Sequence, residues 1–315
     1  MKDGNVLIVG SGTMGSGISV VFASAGYKVV VLDKSREQIE RGKTLTRKAI
    51  ELLSRFDLLS DDDAFERISF EVAEISEFLK NEKDFLFALE AVYEDPITKA
   101  EVLGKLDSNL EADSLVASTT SGINIYEIAE YAHPERVIIT HFFNPPFIVP
   151  LVEVVKGPKT SPENLKRTLK LLRDDLRLKI VLLNSYIPGF VVNRLTAALA
   201  REAAYIVSLG ITSPEDIDTA VIVNYGLKFP FEGIFELFDY IGWDVARMVG
   251  VYLFPTLCNS TEGMKLAEDM VSEGRLGLKS GRGLKDYSGR SMDDVLEERW
   301  IKMLKVLKCV KNLER

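Results

Sequence analysis

The stretch NVLIVGSGTMGSGISVVFASAGYKVVVLD, Asn5 to Asp33, decides the fold. A short apolar run leads into Gly10-x-Gly12-x-x-Gly15, helical periodicity follows, and a second apolar run ends in an acid. That order reads as strand, tight turn, helix, strand. Each glycine has its own reason: Gly10 permits the turn, Gly12 lets the backbone approach a pyrophosphate, and Gly15 lets helix and strand pack closely. A pyrophosphate would then lie on free N–H groups at the positive end of the helix. Gly10, Ser11, Gly12, Thr13, Met14 and Gly15 are therefore expected to form a dinucleotide loop. Met14, Ile18, Val21, Phe22 and Ala25 share one helical face and read as core.

Asp33 stands 18 residues after Gly15, at the end of the second strand. An acid there is expected to accept from both ribose hydroxyls of NAD and to repel the extra phosphate of NADP. Lys34 and Arg36 weaken that exclusion. FAD-binding chains share the glycine pattern, but a larger second nucleotide domain would accompany it, and none is visible. NAD is the expected cofactor.

Outward from this unit, strand candidates fall at Val6–Val9, Val29–Leu32, Phe85–Ala91, Leu115–Ser118, Val137–Thr140, Leu151–Val155 and Ile180–Leu183, alternating with amphipathic segments. This is the pattern of βαβ units. A long helical stretch, EQIERGKTLTRKAIELLSRFDLL, forms an arm near residues 36–60. After SYIPGF (Ser185–Phe190) only helical periodicity remains: Val191–Leu209, Pro214–Val223, Phe231–Val251, Gly263–Glu273 and Met292–Leu313, the last with Ser291 and Asp294 at capping-box spacing. The fold class expected is α/β: a Rossmann-type, doubly wound, mostly parallel sheet over residues 1–185, followed by an all-helical C-terminal domain over 186–315.

The bulk numbers agree with that reading. A 315-residue chain has room for two domains. A formal charge of −8 and a pI near 5.1 argue against nucleic acid as partner. Cys258 and Cys309 are too few and too far apart for a disulfide framework or a metal knuckle, so no metal is expected. The first strand starts at Asn5 and no apolar run reaches membrane-spanning length, so a cytoplasmic protein without a membrane partner is expected.

The chemistry is expected in THFFNPPFIVPLVEVV, Thr140 to Val155. A carboxylate inside Leu-Val-Glu-Val-Val must find a partner. If the two flanking strands are parallel neighbours, His141 stands at the carboxyl edge, where open α/β sheets bind ligands, and Glu153 can reach it. The pair would act as base and orienter. The bland alternative also stands: a strand-end histidine with one structural hydrogen bond, and Glu153 paired to a lysine or arginine. His133, beside Pro134, reads as a surface-turn residue.

These residues resemble the L-3-hydroxyacyl-CoA dehydrogenases. The motifs run in order along nearly the whole chain: GSGTMGSGI, LEAVYED, STTSGINI, HFFNPPFIVPLVEV, PGFVVNR, FEGIFELFDYIGWD and GLKSGRGLKDY. The resemblance implies that His141 is the catalytic base and Glu153 its orienting carboxylate. It implies that Ser121 hydrogen-bonds the substrate oxygen near the nicotinamide, and that Asn193 supports the substrate carbonyl region. It places Glu94, Lys99, Ser121, Asn144 and Lys279 against NAD, and implies a homodimer through the helical domain. The substrate expected first is a short L-3-hydroxyacyl-CoA; the second is a CoA-free β-hydroxy acid, as in lambda-crystallin-like relatives, and the third reading is a non-catalytic NAD-binding protein. The arm departs from the acyl-CoA members, which are basic there: SRFDLLSDDDAFE is a poor cradle for CoA phosphates, although Lys43, Arg47, Lys48 and Arg55 lie nearby.

Overall fold

The computed structural model describes residues 2–59 and 62–313. Its first strands and helices are β1 (Asn5–Val9), α1 (Thr13–Ser24), β2 (Lys28–Asp33), α2 (Arg36–Arg55), β3 (Ile68–Val72), α3 (Ile75–Phe78), β4 (Phe87–Glu90) and α4 (Pro96–Asn109). β5 (Leu115–Ser118), α5 (Ile125–Ile128), β6 (Val137–Phe142), β7 (Leu151–Val155), α6 (Pro162–Lys170) and β8 (Lys179–Leu183) complete the sheet unit. The strands make one eight-stranded sheet in the order β3-β2-β1-β4-β5-β6-β7-β8. The order reverses direction after β1, which opens a crevice at the carboxyl edge beside the glycine loop.

Alternation along each strand builds two apolar layers. Val6, Ile8, Val29 and Val31 meet Ile18 and Phe22 of α1 on one face. Leu7, Val9, Val30 and Leu32 meet Leu103 and Leu106 of α4 on the other. Both faces are covered, which is why these strands read as continuous apolar runs. The arm helix α2 is capped by Ser35, whose side chain accepts from the Gln38 N–H.

Two points in the sheet differ from the sequence reading. β3 falls inside the stretch between the second strand and Phe85 where no strand was expected. It is an edge strand, and of ISFEV only Ile68 is buried, so it lacks the apolar run that marks its neighbours. β6 and β7 are antiparallel, not parallel, and β8 runs parallel to β7. The link Phe143–Pro150 is too short for a parallel crossover, which takes roughly a dozen residues or more.

The chain divides into two compact units: Met1–Val191 together with Trp300–Leu313, and Val192–Arg299. The second unit holds α7 (Val192–Ser208), α8 (Pro214–Ala220), α9 (Gly226–Lys228), α10 (Ile234–Ile241), α11 (Trp243–Leu253) and α12 (Lys265–Ser272), and the start of α13 (Met292–Leu313). The sequence reading assigned Trp300–Leu313 to the helical domain. The contacts group it with the sheet unit instead, because Trp300 and Leu304, one helical turn apart, are both buried. Among the described residues no helix is long and apolar enough to cross a membrane.

Candidate active site

Antiparallel pairing sets His141 directly opposite Glu153. Opposed residues of an antiparallel pair project to the same face of the sheet, their Cβ atoms about 5 Å apart. The imidazole Nδ1 lies 2.9 Å from Glu153 Oε2. Glu153 is fully buried, His141 nearly so, and the second carboxylate oxygen accepts the Val191 N–H at 2.9 Å. With Glu153 ionised, Nδ1 carries the proton, and Nε2 keeps its lone pair for a proton from elsewhere. The rings of Phe143 and Phe190 flank the imidazole, with centroids 4.5 and 5.5 Å away. Glu153 is thus engaged by an imidazole and by a backbone amide.

Phe190 was not singled out from the sequence. It is buried, yet its φ is +53°, a left-handed conformation that costs a non-glycine residue about 1–2 kcal/mol. Together with Gly189 at φ +76° it turns the chain so that the next amide, Val191, reaches Glu153.

A second buried carboxylate ends β4. Glu90 is inaccessible to solvent and accepts from Lys99 Nζ at 2.7 Å, from Ser118 Oγ at 2.5 Å and from the Val92 N–H at 2.8 Å. Its signal in the sequence, an acid within the apolar run Phe85–Val92, is the same as that of Glu153. Lys99 is buried, and its ammonium also sits 3.1 Å from Glu94 Oε2. Its charge is shared between Glu90 and Glu94, so that it ties Glu94 to the end of β4. Glu94 Oε1 accepts from Thr120 Oγ1 at 2.7 Å and from the Ser121 N–H and Oγ at 2.8 and 3.0 Å. Partial burial pushes the Glu94 carboxyl up, but the Thr120 hydroxyl, the Lys99 charge and the Ser121 amide outweigh it and hold it below the ordinary glutamate range. Ser121 is thus tied to Glu94 and is not a helix cap; Asn124 precedes α5.

The glycine loop fits a dinucleotide. Gly10 has φ +106°, and an added Cβ would stand 2.5 Å from the Ala91 carbonyl oxygen. A Cβ on Gly15 would fall 1.9 Å from Gly10 O, whereas one on Gly12 would meet nothing within 4 Å. The open space at Gly12 and the start of α1, whose N-cap has no side-chain hydrogen bond, leave backbone N–H groups for phosphate oxygens. Asp33 Oδ2 accepts from the Ser11 N–H and Oγ, and Oδ1 from the Ser35 N–H. A carboxylate offers about four acceptor positions. Asp33 therefore keeps acceptor capacity for a ribose hydroxyl. Asp33→Ala is expected to raise turnover with NADP relative to NAD, measured as the ratio of kcat/KM values; an unchanged ratio would mean that the ribose is read elsewhere.

The sheet unit thus holds His141, Glu153, Ser121, Glu94 and Asp33 along its carboxyl edge, with Asn144 exposed on the loop after β6. Asn193 lies in the first turn of α7 and Lys279 is exposed in a single 3-10 turn, both in the second unit. His133 is half-exposed and its ring nitrogen is 3.7 Å from Glu135, as a surface-turn residue should be.

Residues 5–185 match the family description "3-hydroxyacyl-CoA dehydrogenase, NAD binding domain", and residues 189–287 match its C-terminal domain. The chain belongs to the 3-hydroxyacyl-CoA dehydrogenase family. It is an NAD-dependent oxidoreductase. A 5-formyl-3-hydroxy-2-methylpyridine 4-carboxylate 5-dehydrogenase of Mesorhizobium japonicum is 32% identical over 98% of this chain and 99% of its own. A probable 3-hydroxybutyryl-CoA dehydrogenase of Bacillus subtilis is also 32% identical, over 92% of this chain and 100% of its own. Among solved structures, a 5-formyl-3-hydroxy-2-methylpyridine 4-carboxylic acid 5-dehydrogenase, described as an NAD+-dependent dismutase, superimposes with a TM-score of 0.89. It is 31% identical, and 98% of each chain is covered.

Proposed function

We propose that this dehydrogenase oxidises a hydroxyl group on a compact carboxylic acid that carries no CoA, with His141 as general base and Glu153 as its orienter. The observation behind the mechanism is the buried Nδ1–Oε2 contact of 2.9 Å. Nε2 takes the hydroxyl proton as the carbinol C–H leaves as hydride; NAD, when bound, is the hydride acceptor. The imidazolium so formed is held by the Glu153 carboxylate, and the proton is then released to solvent. Ser121 is suited to hold the substrate oxygen once its hydroxyl leaves Glu94. A general base of this kind contributes about 10²–10⁴ in rate.

The CoA-free reading rests on the arm. A CoA moiety brings a diphosphate and a 3′-phosphate, which need uncommitted cations. On α2, Lys43 pairs with Glu40 at 2.8 Å and lies over the Phe70 ring, and Arg47 is stacked on Phe65 at 4.8 Å. Lys48 and Arg55 have partners as well. The aspartate run that follows in sequence, Asp61 to Asp63, begins outside the described residues and adds negative charge to this segment of the chain. The pyridine-carboxylate relatives, matched over 98% of the chain, bear the same reading. The rival, a short L-3-hydroxyacyl-CoA, keeps its support from the Bacillus subtilis relative. Following the absorbance of reduced cofactor separates the two. Free hydroxy acids, or the formyl-pyridine carboxylate reacting as its hydrate, in which added water supplies the carbinol hydroxyl, should turn over with kcat/KM at least tenfold above that of 3-hydroxybutyryl-CoA; the reverse order would sink the CoA-free reading.

We also infer a homodimer. Taken by itself, the second unit buries Gly283 alone among its residues, and leaves Phe235, Trp243 and Phe254 at 73%, 54% and 70% exposure. A helical unit with no core of its own needs its apolar faces covered. Sedimentation equilibrium should report twice the chain mass of 35.2 kDa; a folded, active monomer would overturn this. The cytoplasmic location expected from the sequence belongs to the same proposal.

A further inference from the structure

The family match ends at residue 287, yet the chain continues into α13, Met292–Leu313. The helix starts at Ser291, whose side chain accepts from the Asp294 N–H. Within SMDDVLEERWIKMLKVL, Trp300 and Leu304 are four residues apart and share a face. Both are buried, at 7% and 0% exposure, although most of their neighbours on α13 are charged and exposed. Further along, Lys308 pairs with Asp57 just beyond α2 at 2.9 Å.

Trp300 has an unusual set of neighbours. Its ring meets Phe147 edge-on, with centroids 5.4 Å apart at 85°. It also lines a small cavity of about 10 Å³ with Thr13 of the glycine loop, Gly17 of α1 and Asn144. That volume is at the lower limit for a single water, so the indole nearly fills the space. On the loop's other side Pro146 rests on Gly17, where an added Cβ would stand 2.8 Å from its Cδ. The segment Asn144–Phe147 is therefore clamped between α1 and the indole. One end of the clamp is Asn144, which the family resemblance places against NAD, and the cavity wall includes the loop that fits its pyrophosphate.

We propose that Trp300 is a positioning residue of the cofactor site: through Phe147 it holds the Asn144 loop against α1, and so sets the geometry in which NAD is bound. This rests on the assignment of Asn144 to the cofactor. The chemistry is that of shape and support. A wall that shifts by about 1 Å can cost on the order of a hundredfold at the site it supports.

Direct binding decides it without any substrate. Trp243 and Trp300 are the only tryptophans, so Trp243→Phe leaves Trp300 as the sole indole reporter. NAD added to that variant should quench the buried indole emission along a saturating curve. Calorimetric titration of Trp300→Ala should show a Kd for NAD on the order of tenfold or more above that of the parent protein. Trp300→Phe, which keeps an aromatic edge, should recover most of the loss. Leu304→Ala, on the same buried face but away from this cavity, should lower the melting temperature and leave the Kd unchanged. If Trp300→Ala fails to fold, Trp300→Leu with the same calorimetric titration answers the same question. Asn144→Ala run in parallel separates the two assumptions. An unchanged Kd in Asn144→Ala overturns the cofactor assignment and with it the proposal. Weakened binding in Asn144→Ala beside an unchanged Trp300→Ala, or an equal weakening in Leu304→Ala, overturns the positioning role alone.

Discussion

His141→Ala is expected to lower kcat by roughly two to four orders of magnitude, or about 3–5 kcal/mol of barrier, with NAD affinity nearly unchanged. The reason is positional. The imidazole is buried between Phe143 and Phe190, and its Nδ1 is engaged by Glu153, so Nε2 can accept a hydroxyl proton with a counter-charge behind it. Single-turnover kinetics with saturating cofactor, together with a direct NAD titration, checks both halves. Loss of cofactor binding in this variant would reassign His141 to structure, and a kcat within tenfold of the parent would end the general-base account. Removing the imidazole also takes from the buried Glu153 the partner on its Oε2. Some loss of stability is therefore expected alongside the kinetic effect, and the assay belongs well below the melting transition.

Lys99→Met is expected to cost about 3–5 kcal/mol of stability in the sheet unit. It keeps the length of the side chain but strips the ammonium from Glu90, which is fully buried 2.7 Å away. Breaking a buried pair by deleting one partner leaves a charge that neither water nor another cation can reach, which is why the loss exceeds that of a surface pair. For a unit of this size the shift corresponds to roughly 10 °C in melting temperature. A urea titration followed by far-ultraviolet circular dichroism measures it, and an unchanged midpoint would mean that Glu90 and Lys99 do not face each other as ions. Glu94 should suffer too, since it loses one of the groups that depress its carboxyl. Because that carboxyl is lowered in the folded state, its share of stability is present above the ordinary glutamate range and is lost as the pH falls through the folded value. The difference between Lys99→Met and the parent at Glu94 should therefore narrow in strongly acidic solution.

Much of this was legible from residue order alone, and the failures have a common cause. The glycine loop could be read because each glycine answers a local steric demand. The histidine–glutamate pair could be suspected because a carboxylate in an apolar strand is expensive wherever it lies. Glu90 carried the same warning, but its partner is a lysine that looked like a cofactor contact. β3 was invisible because an edge strand has little apolar pressure on it. The strand direction was wrong because parallel and antiparallel neighbours carry the same apolar pattern; only the short Phe143–Pro150 link distinguishes them.

Residue order settled what local chemistry can settle: a strand, turn and helix that fit a dinucleotide, an α/β unit followed by helices, and a strand-end histidine with an apolar strand carrying an acid soon after it. The tertiary structure alone decided the pairings. It set His141 opposite Glu153 by antiparallel register, turned Lys99 inward to Glu90, and brought Trp300 to a loop 153 positions earlier in the chain. Periodicity reports which face of an element is apolar, because that depends on near neighbours in sequence. Which distant element covers that face depends on the path of the whole chain, and no local pattern encodes it.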